Sequence, residues 1–236
     1  MGSIYLIRHG QASFGADNYD VLSPLGVQQA EIVGDYLANT GVTLNACFSG
    51  DLARQRNTAL SALSRFHARD LAAPTLAIDP AFNEVDTSAV IRLIAPLMRA
   101  DEPHIIDTLR NPLQDKAEFQ RVFAMLMQRW ASECDDIPEH LRWSAFKQRV
   151  ADGLERVLSN AAADDQIGIF TSGGTITAFL HLLTGISAEQ AFDLNWQIVN
   201  TSLSRLKFRD RSVVLASFNS HAHLDLLKNK KLITYR

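Results

Sequence analysis

The hydrophobic positions of this chain switch repeatedly between two periods. Short apolar runs at Ser3–Arg8, Leu44–Ser49, Thr75–Ile78 and Gln166–Thr171 read as buried strands bounded by turn or polar residues. Between them apolar residues recur at helical spacing. Ser23 and Pro24 are a good N-cap and first helical residue for a helix that Gly41 ends, and Leu52–Phe66 is a second helix. Thr87 to Asn160 is helical throughout, with candidates Ala89–Met98, Lys116–Cys134 and Trp143–Leu158 punctuated by prolines. Ser172-Gly173-Gly174 opens a further helix that Gly185 stops, and Ser187 caps a short one. Ser202–Phe208 and Val213–Phe218 read as two late strands with a turn at Asp210-Arg211.

Strands alternating with helices predict an α/β fold: a three-layer α/β/α domain over residues 1–236 with a mostly parallel central sheet. The late strand pair adds antiparallel character at one edge. Residues 87–160 have no strand and are expected as a helical insertion over the active site.

Composition narrows the class. Of 236 residues, 47% are hydrophobic and 21% charged, ordinary for a soluble globular protein. The formal net charge of -3 carries no footprint for nucleic acid or for an anionic membrane, and no apolar run is long enough to span a bilayer. Gly2 is not a myristoylation site, because Leu6 stands where Ser or Thr is needed. Cys47 and Cys134 fit no metal or disulfide framework, so a reducing, cytoplasmic location is expected.

The candidate chemistry gathers at strand ends, where open α/β sheets bind ligands. The first strand delivers Arg8, His9 and Gly10; the second ends at Ser49 and leads into Arg54; the third is followed by Asn83-Glu84; the fourth runs into Ser172-Gly173-Gly174. Arginines bind phosphate oxygens bidentately and do not titrate away. Helix N-termini add N–H donors. A neutral imidazole is a competent nucleophile toward phosphorus, and a carboxylic acid can protonate a leaving alkoxide. The set suits phosphoryl transfer without a metal. A serine hydrolase centred on Ser172 is weak, because Phe170 occupies the first glycine position of the nucleophile elbow.

These segments resemble the histidine phosphatase superfamily, also called phosphoglycerate mutase-like, along most of the chain. Leu6-Ile7-Arg8-His9-Gly10 is similar to its signature and Leu22–Ala30 to its following helix start. Ser49–Ala59 resembles its second arginine segment, with Arg54 on the phosphate-binding position. Phe82-Asn83-Glu84 resembles the segment of its general acid. The resemblance implies a phosphohistidine on His9, phosphoryl oxygens held by Arg8 and Arg54, Glu84 as acid and then base, and no need of a cofactor. Gly10, Ser172 and Gly173 complete the expected phosphate site, and the substrate is a small-molecule phosphomonoester.

One position departs from the family pattern. Ser172 aligns with the family's second histidine, before two glycines. By analogy with removal of one oxyanion donor, the loss is about 3–4 kcal/mol, roughly a hundred- to thousandfold in rate. Reduced activity is therefore expected, with a phosphate-ligand-binding protein of little or no turnover as the second reading and a phosphoglycerate mutase as the third. His221 and His223 are candidates for compensation if that stretch is extended, since both would then point the same way. Gln11 and Asn18, on the loop after the nucleophile, are candidates for substrate contact. Arg92, Arg99, Arg110, Arg121 and Arg142 of the insertion are read mainly as solvated helix faces, and Trp130, Trp143 and Trp196 as core or lid packing.

Overall fold

The computed structural model of the chain describes residues 1–13, 20–111, 114–132 and 137–235. Asn18 and Cys134 lie outside these. Six strands form one sheet: β1 (Gly2–Arg8), β2 (Ala46–Ser49), β3 (Leu76–Ile78), β4 (Gln166–Thr171), β5 (Leu203–Arg209) and β6 (Ser212–Ser220). Their order is β3-β2-β4-β1-β5-β6. β1, β2, β3 and β4 run parallel, and β5 and β6 add an antiparallel edge, in keeping with the late strand pair of the sequence.

The helices begin and end where the side chains dictate. α1 (Pro24–Asn39) is capped by Ser23, whose Oγ accepts the Gly26 N–H at 3.0 Å. α2 (Ala53–His67) follows β2. α3 (Thr87–Leu97) begins at Asp86, whose carboxylate accepts the Ala89 N–H at 2.9 Å. A short α4 (Ile105–Arg110) is not anticipated by the hydrophobic pattern, whereas α5 (Lys116–Ala131) and α6 (Trp143–Ser159) match the expected helices. The burial of α4 hangs on Ile105, and six residues carry too little periodicity to stand out. α7 (Gly173–Thr184) ends at Gly185, whose φ of 72° is the left-handed cap that a glycine adopts without strain. α8 (Ala188–Asn195) has a full capping box between Ser187 and Gln190. The sheet starts β2 at Ala46 rather than at Leu44, yet Asn45 still pairs with Gln166: its N–H donates to the Gln166 carbonyl and its side-chain oxygen accepts the Gln166 N–H, each at 2.8 Å.

Successive residues of β1 supply both layers. Ile4 and Leu6 join a core with Trp130, Trp143 and Phe179, whereas Tyr5 and Ile7 join a core with Val33, Leu37 and Phe66 of α1 and α2. Burial on both faces is what makes the strand an uninterrupted apolar run. Because β1, β2 and β4 are parallel and in register, Arg8, Ser49 and Thr171 reach one rim of the sheet together. α3, α4, α5 and α6 all fall between β3 and β4. Among the described residues, no helix is long and apolar enough to cross a membrane.

Candidate active site

At that rim lies a cleft of about 1300 Å³ whose lining includes Arg8, His9, Arg54 and Glu84. Four residues expected from separate segments of the sequence are thus brought to one cavity. The walls come from α3, α5 and the turn after α8.

His9 is almost fully buried at the end of β1. Its Nδ1 lies 2.7 Å from its neighbour's carbonyl, Gly10 O. A carbonyl only accepts, so Nδ1 carries the proton and a neutral ring keeps a lone pair on Nε2. Arg54 Nε donates to that Nε2 at 3.2 Å. Burial, then the charges of Arg54 and Arg8, hold the imidazole pKa well below its usual value near 6.5. The ring is therefore neutral at physiological pH. Its backbone is fixed from far along the chain: Asn200 Nδ2 donates to the His9 carbonyl at 3.0 Å, and the Thr201 N–H donates to the Arg8 carbonyl at 3.1 Å.

Arg54 sits in the first turn of α2, and its orientation comes from Asp20. The Asp20 carboxylate accepts Arg54 Nη1 at 2.8 Å and the Ala53 N–H at 2.8 Å. It thus caps a helix whose own N-cap, Leu52, has no side-chain acceptor. Arg8 donates to the Ile198 carbonyl.

Glu84 follows a 3-10 turn at Pro80–Phe82. One carboxylate oxygen accepts the Gly174 N–H at 3.1 Å and the other the Val85 N–H at 2.9 Å. The acid therefore rests on the start of α7. The segment that carries it is clamped from four elements. Gln55 Nε2 and Thr171 Oγ1 donate to the Phe82 carbonyl at 3.0 and 2.7 Å; Thr175 Oγ1 and Arg149 Nη2 donate to the Asn83 carbonyl at 3.0 and 2.8 Å. Burial lowers the Arg149 pKa, with Glu84 opposing the shift.

Other expected residues have different surroundings. The Gly10 N–H is directed to Thr58 Oγ1 at 2.9 Å, not into the cleft. Gly10 matters through space instead, since a Cβ there would fall 2.3 Å from the Gly26 carbonyl oxygen. Ser172 is fully buried and does not cap α7 through its side chain; its Oγ accepts from Gln55 Nε2 at 2.8 Å. Gly173 lies between Asn195 and Arg8 with no room for a side chain, since a Cβ would meet Asn195 Oδ1 at 2.6 Å. Gln11 is tied to α1, its N–H to Gln29 and its side chain to Ser23.

His221 and His223 are not extended. β6 ends at Ser220 and α9 (Ala222–Asp225) begins, so the two rings diverge. His221 Nδ1 faces the Asn219 carbonyl at 2.9 Å, while His223 packs against Tyr36 with ring centroids 5.5 Å apart. Neither is among the residues that line the cleft. Trp130 and Trp143 are buried core residues, whereas Trp196 lines the cleft.

Asp20, Gln55, Arg149, Asn200 and Thr201 were missed by sequence reasoning. Asp20 stands in a polar loop with no local sign of its distant helix. Arg149 is not among the arginines singled out in the insertion.

Comparison with known proteins supplies the family. The sequence profile of the histidine phosphatase superfamily (branch 1) matches residues 4–221. No curated protein sequence matches the chain. Among solved structures, a mutant phosphoserine phosphatase from Entamoeba histolytica in complex with phosphoserine superposes with a TM-score of 0.65 at 17% identity, covering 95% of this chain and 100% of that one. A phosphoglycerate mutase from Bacillus anthracis gives 0.62 at 16% identity, covering 97% of each chain. A mycobacterial glucosyl-3-phosphoglycerate phosphatase gives 0.59 at 16% identity, covering 93% of this chain and 99% of that one. At these identities the solved structures speak for the fold, and the profile match over most of the chain places this protein in the histidine phosphatase superfamily.

Proposed function

We propose that the protein is a metal-independent phosphomonoester phosphatase acting through a phosphohistidine on His9. The observation that carries this reading is the neutral, buried imidazole of His9, with its Nε2 lone pair beside Arg54 in a cleft that Arg8 and Glu84 share. In the proposed reaction, His9 Nε2 attacks phosphorus and the ester P–O bond breaks. The leaving alkoxide takes its proton from Glu84. Water, giving its proton back to Glu84, then attacks the phosphohistidine and releases orthophosphate. Arg8 and Arg54 neutralise the phosphoryl oxygens, and the Nδ1–H bond to Gly10 O supports the charge that develops on the ring. The substrate is a small-molecule phosphomonoester.

A second reading, a phosphate-ligand-binding protein with little turnover, draws on Ser172. We read this residue as standing where the family carries its second histidine, and its buried hydroxyl faces Gln55. One experiment separates the two. Hydrolysis of an aryl phosphate in EDTA is compared for the native protein, His9→Ala and Ser172→His. Activity that persists in EDTA and disappears in His9→Ala supports the phosphatase. A silent native protein with recovery in Ser172→His selects the binding protein. Equal activity in native and His9→Ala sinks the nucleophile assignment.

A further inference from the structure

The floor of the cleft is cationic, but much of its wall is apolar. Ile91, Leu109, Phe119, Phe123 and Trp196 present partly buried apolar surface to it. The rings form a continuous aromatic face: Phe119 and Phe123 stack at 5.7 Å between centroids, and Phe123 meets Trp196 edge-on at 5.8 Å. A smaller recess of about 80 Å³ is lined by Glu84, Gly174, Phe123, Trp196, Met127 and Phe192 among others.

Of the two wall arginines, Arg121 is committed elsewhere. Arg121 is paired with Glu102 at 2.8 Å and with Glu118 at 2.7 Å. Arg149 donates to the Asn83 carbonyl through Nη2, while its Nε has no hydrogen-bond partner among the described residues, so it remains a cation on the cleft wall but not among the described lining of the recess. Asp86 and Asp193 also line the cleft, and Asp193 lines the recess together with Glu84. Among the described residues that line the recess there is no cation, so a carboxylate or second phosphate reaching into it would meet aromatic rings and the carboxylates of Glu84 and Asp193.

Glu84 lines both the cleft and the recess. An ester oxygen that takes its proton from Glu84 therefore sits beside the recess, with Phe123 and Trp196, which also line both cavities, as the surface within reach of the rest of the alcohol. We infer that the Phe123–Trp196 face is the leaving-group subsite and that it selects an uncharged aromatic or branched apolar alcohol over a phosphorylated hydroxy acid. The inference rests on the phosphatase reading of the same cleft. It deepens that reading by naming the substrate class.

The test measures binding, so that it stands apart from turnover. His9→Ala protein is titrated by calorimetry with 1-naphthyl phosphate, 3-phosphoglycerate and inorganic phosphate. Naphthyl phosphate is expected to bind at least about tenfold more tightly than either of the others, the scale of one or two apolar groups in a fitted pocket. Adding Phe123→Ala should remove that advantage and leave inorganic phosphate unchanged. Phe123→Leu, which keeps apolar volume, should lose part of it and guards against a folding defect in the alanine variant. Naphthyl phosphate binding no better than inorganic phosphate, or 3-phosphoglycerate binding best, overturns the subsite. Loss of all phosphomonoesterase activity in the native protein, with the binding preference intact, overturns the phosphatase reading and not the subsite.

Discussion

Arg54 Nε donates to His9 Nε2 at 3.2 Å, across 45 positions of sequence. Burial opposes protonation of the ring, and the guanidinium beside it opposes it further. The sign is that of a base kept available. Once the ionisation of the substrate itself is divided out, the acid limb of kcat/KM should therefore fall below about pH 6.5, the ordinary histidine value. A limb at or above that value would mean that His9 is not the titrating base.

Asp20 should couple stability to phosphate binding. Asp20→Ala removes the cap of α2 and the partner that aims Arg54. A loss of about 1 kcal/mol in a urea titration is expected from the cap alone, together with weaker inorganic phosphate binding. Asp20→Asn, which retains an acceptor for the helix, should recover most of the stability. Two variants as stable as the native chain would exclude the capping role.

Gly174→Ala tests the seat of Glu84. A Cβ at this position would fall 2.1 Å from Glu84 Oε1. Alanine is otherwise favourable within a helix, so the fold should persist while the carboxylate is displaced. The expected result is a drop in kcat of roughly tenfold or more with a nearly unchanged melting temperature, within the range that a positioned acid contributes. Unchanged kcat would detach Glu84 from the chemistry.

Gly10→Ala should behave differently. Its Cβ would strike the Gly26 backbone rather than a movable side chain. Overpacking of this kind costs about 1–3 kcal/mol, so destabilisation should accompany any loss of activity. A denaturant midpoint equal to that of the native chain would show that the β1–α1 contact relaxes freely.

His223 should make stability depend on pH. Its pKa is lowered to about 4 by burial and by His221, and its Nδ1 has no hydrogen-bond partner among the described residues. Because the unfolded ring binds a proton more readily, stability falls as pH drops from about 6.5 toward about 4. The full effect is about 3 kcal/mol. His223→Phe retains a ring against Tyr36 and should flatten the difference between urea midpoints at about pH 7.5 and about pH 4.5. His9 contributes with the same sign and remains in that variant. An unaltered pH dependence would refute the assignment.

The local parts of this architecture were legible because their causes are local. Ser23 and Pro24 start α1, Gly185 ends α7 and Ser187 with Gln190 starts α8, each through bonds spanning a few residues. The β1 run is apolar without alternation because helices cover both faces of the sheet. α4 is too short to register as a period, and the departure of His221 and His223 from an extended path begins at Asn219, whose φ of 54° breaks the extended path just before β6 ends at Ser220.

The strand–helix succession, the family and the placement of Arg8-His9 at a strand end follow from the order of amino acids alone, since periodicity, caps and a contiguous signature need no distant partner. What each group faces is a property of the folded chain. Folding brought Asn200 to the His9 carbonyl from 191 positions away, set Asp20 on Arg54, turned Ser172 toward Gln55, and closed Arg121 into pairs with Glu102 and Glu118. Hydrogen bonds and ion pairs act over a few ångströms, and only the three-dimensional packing determines which residues come within that reach.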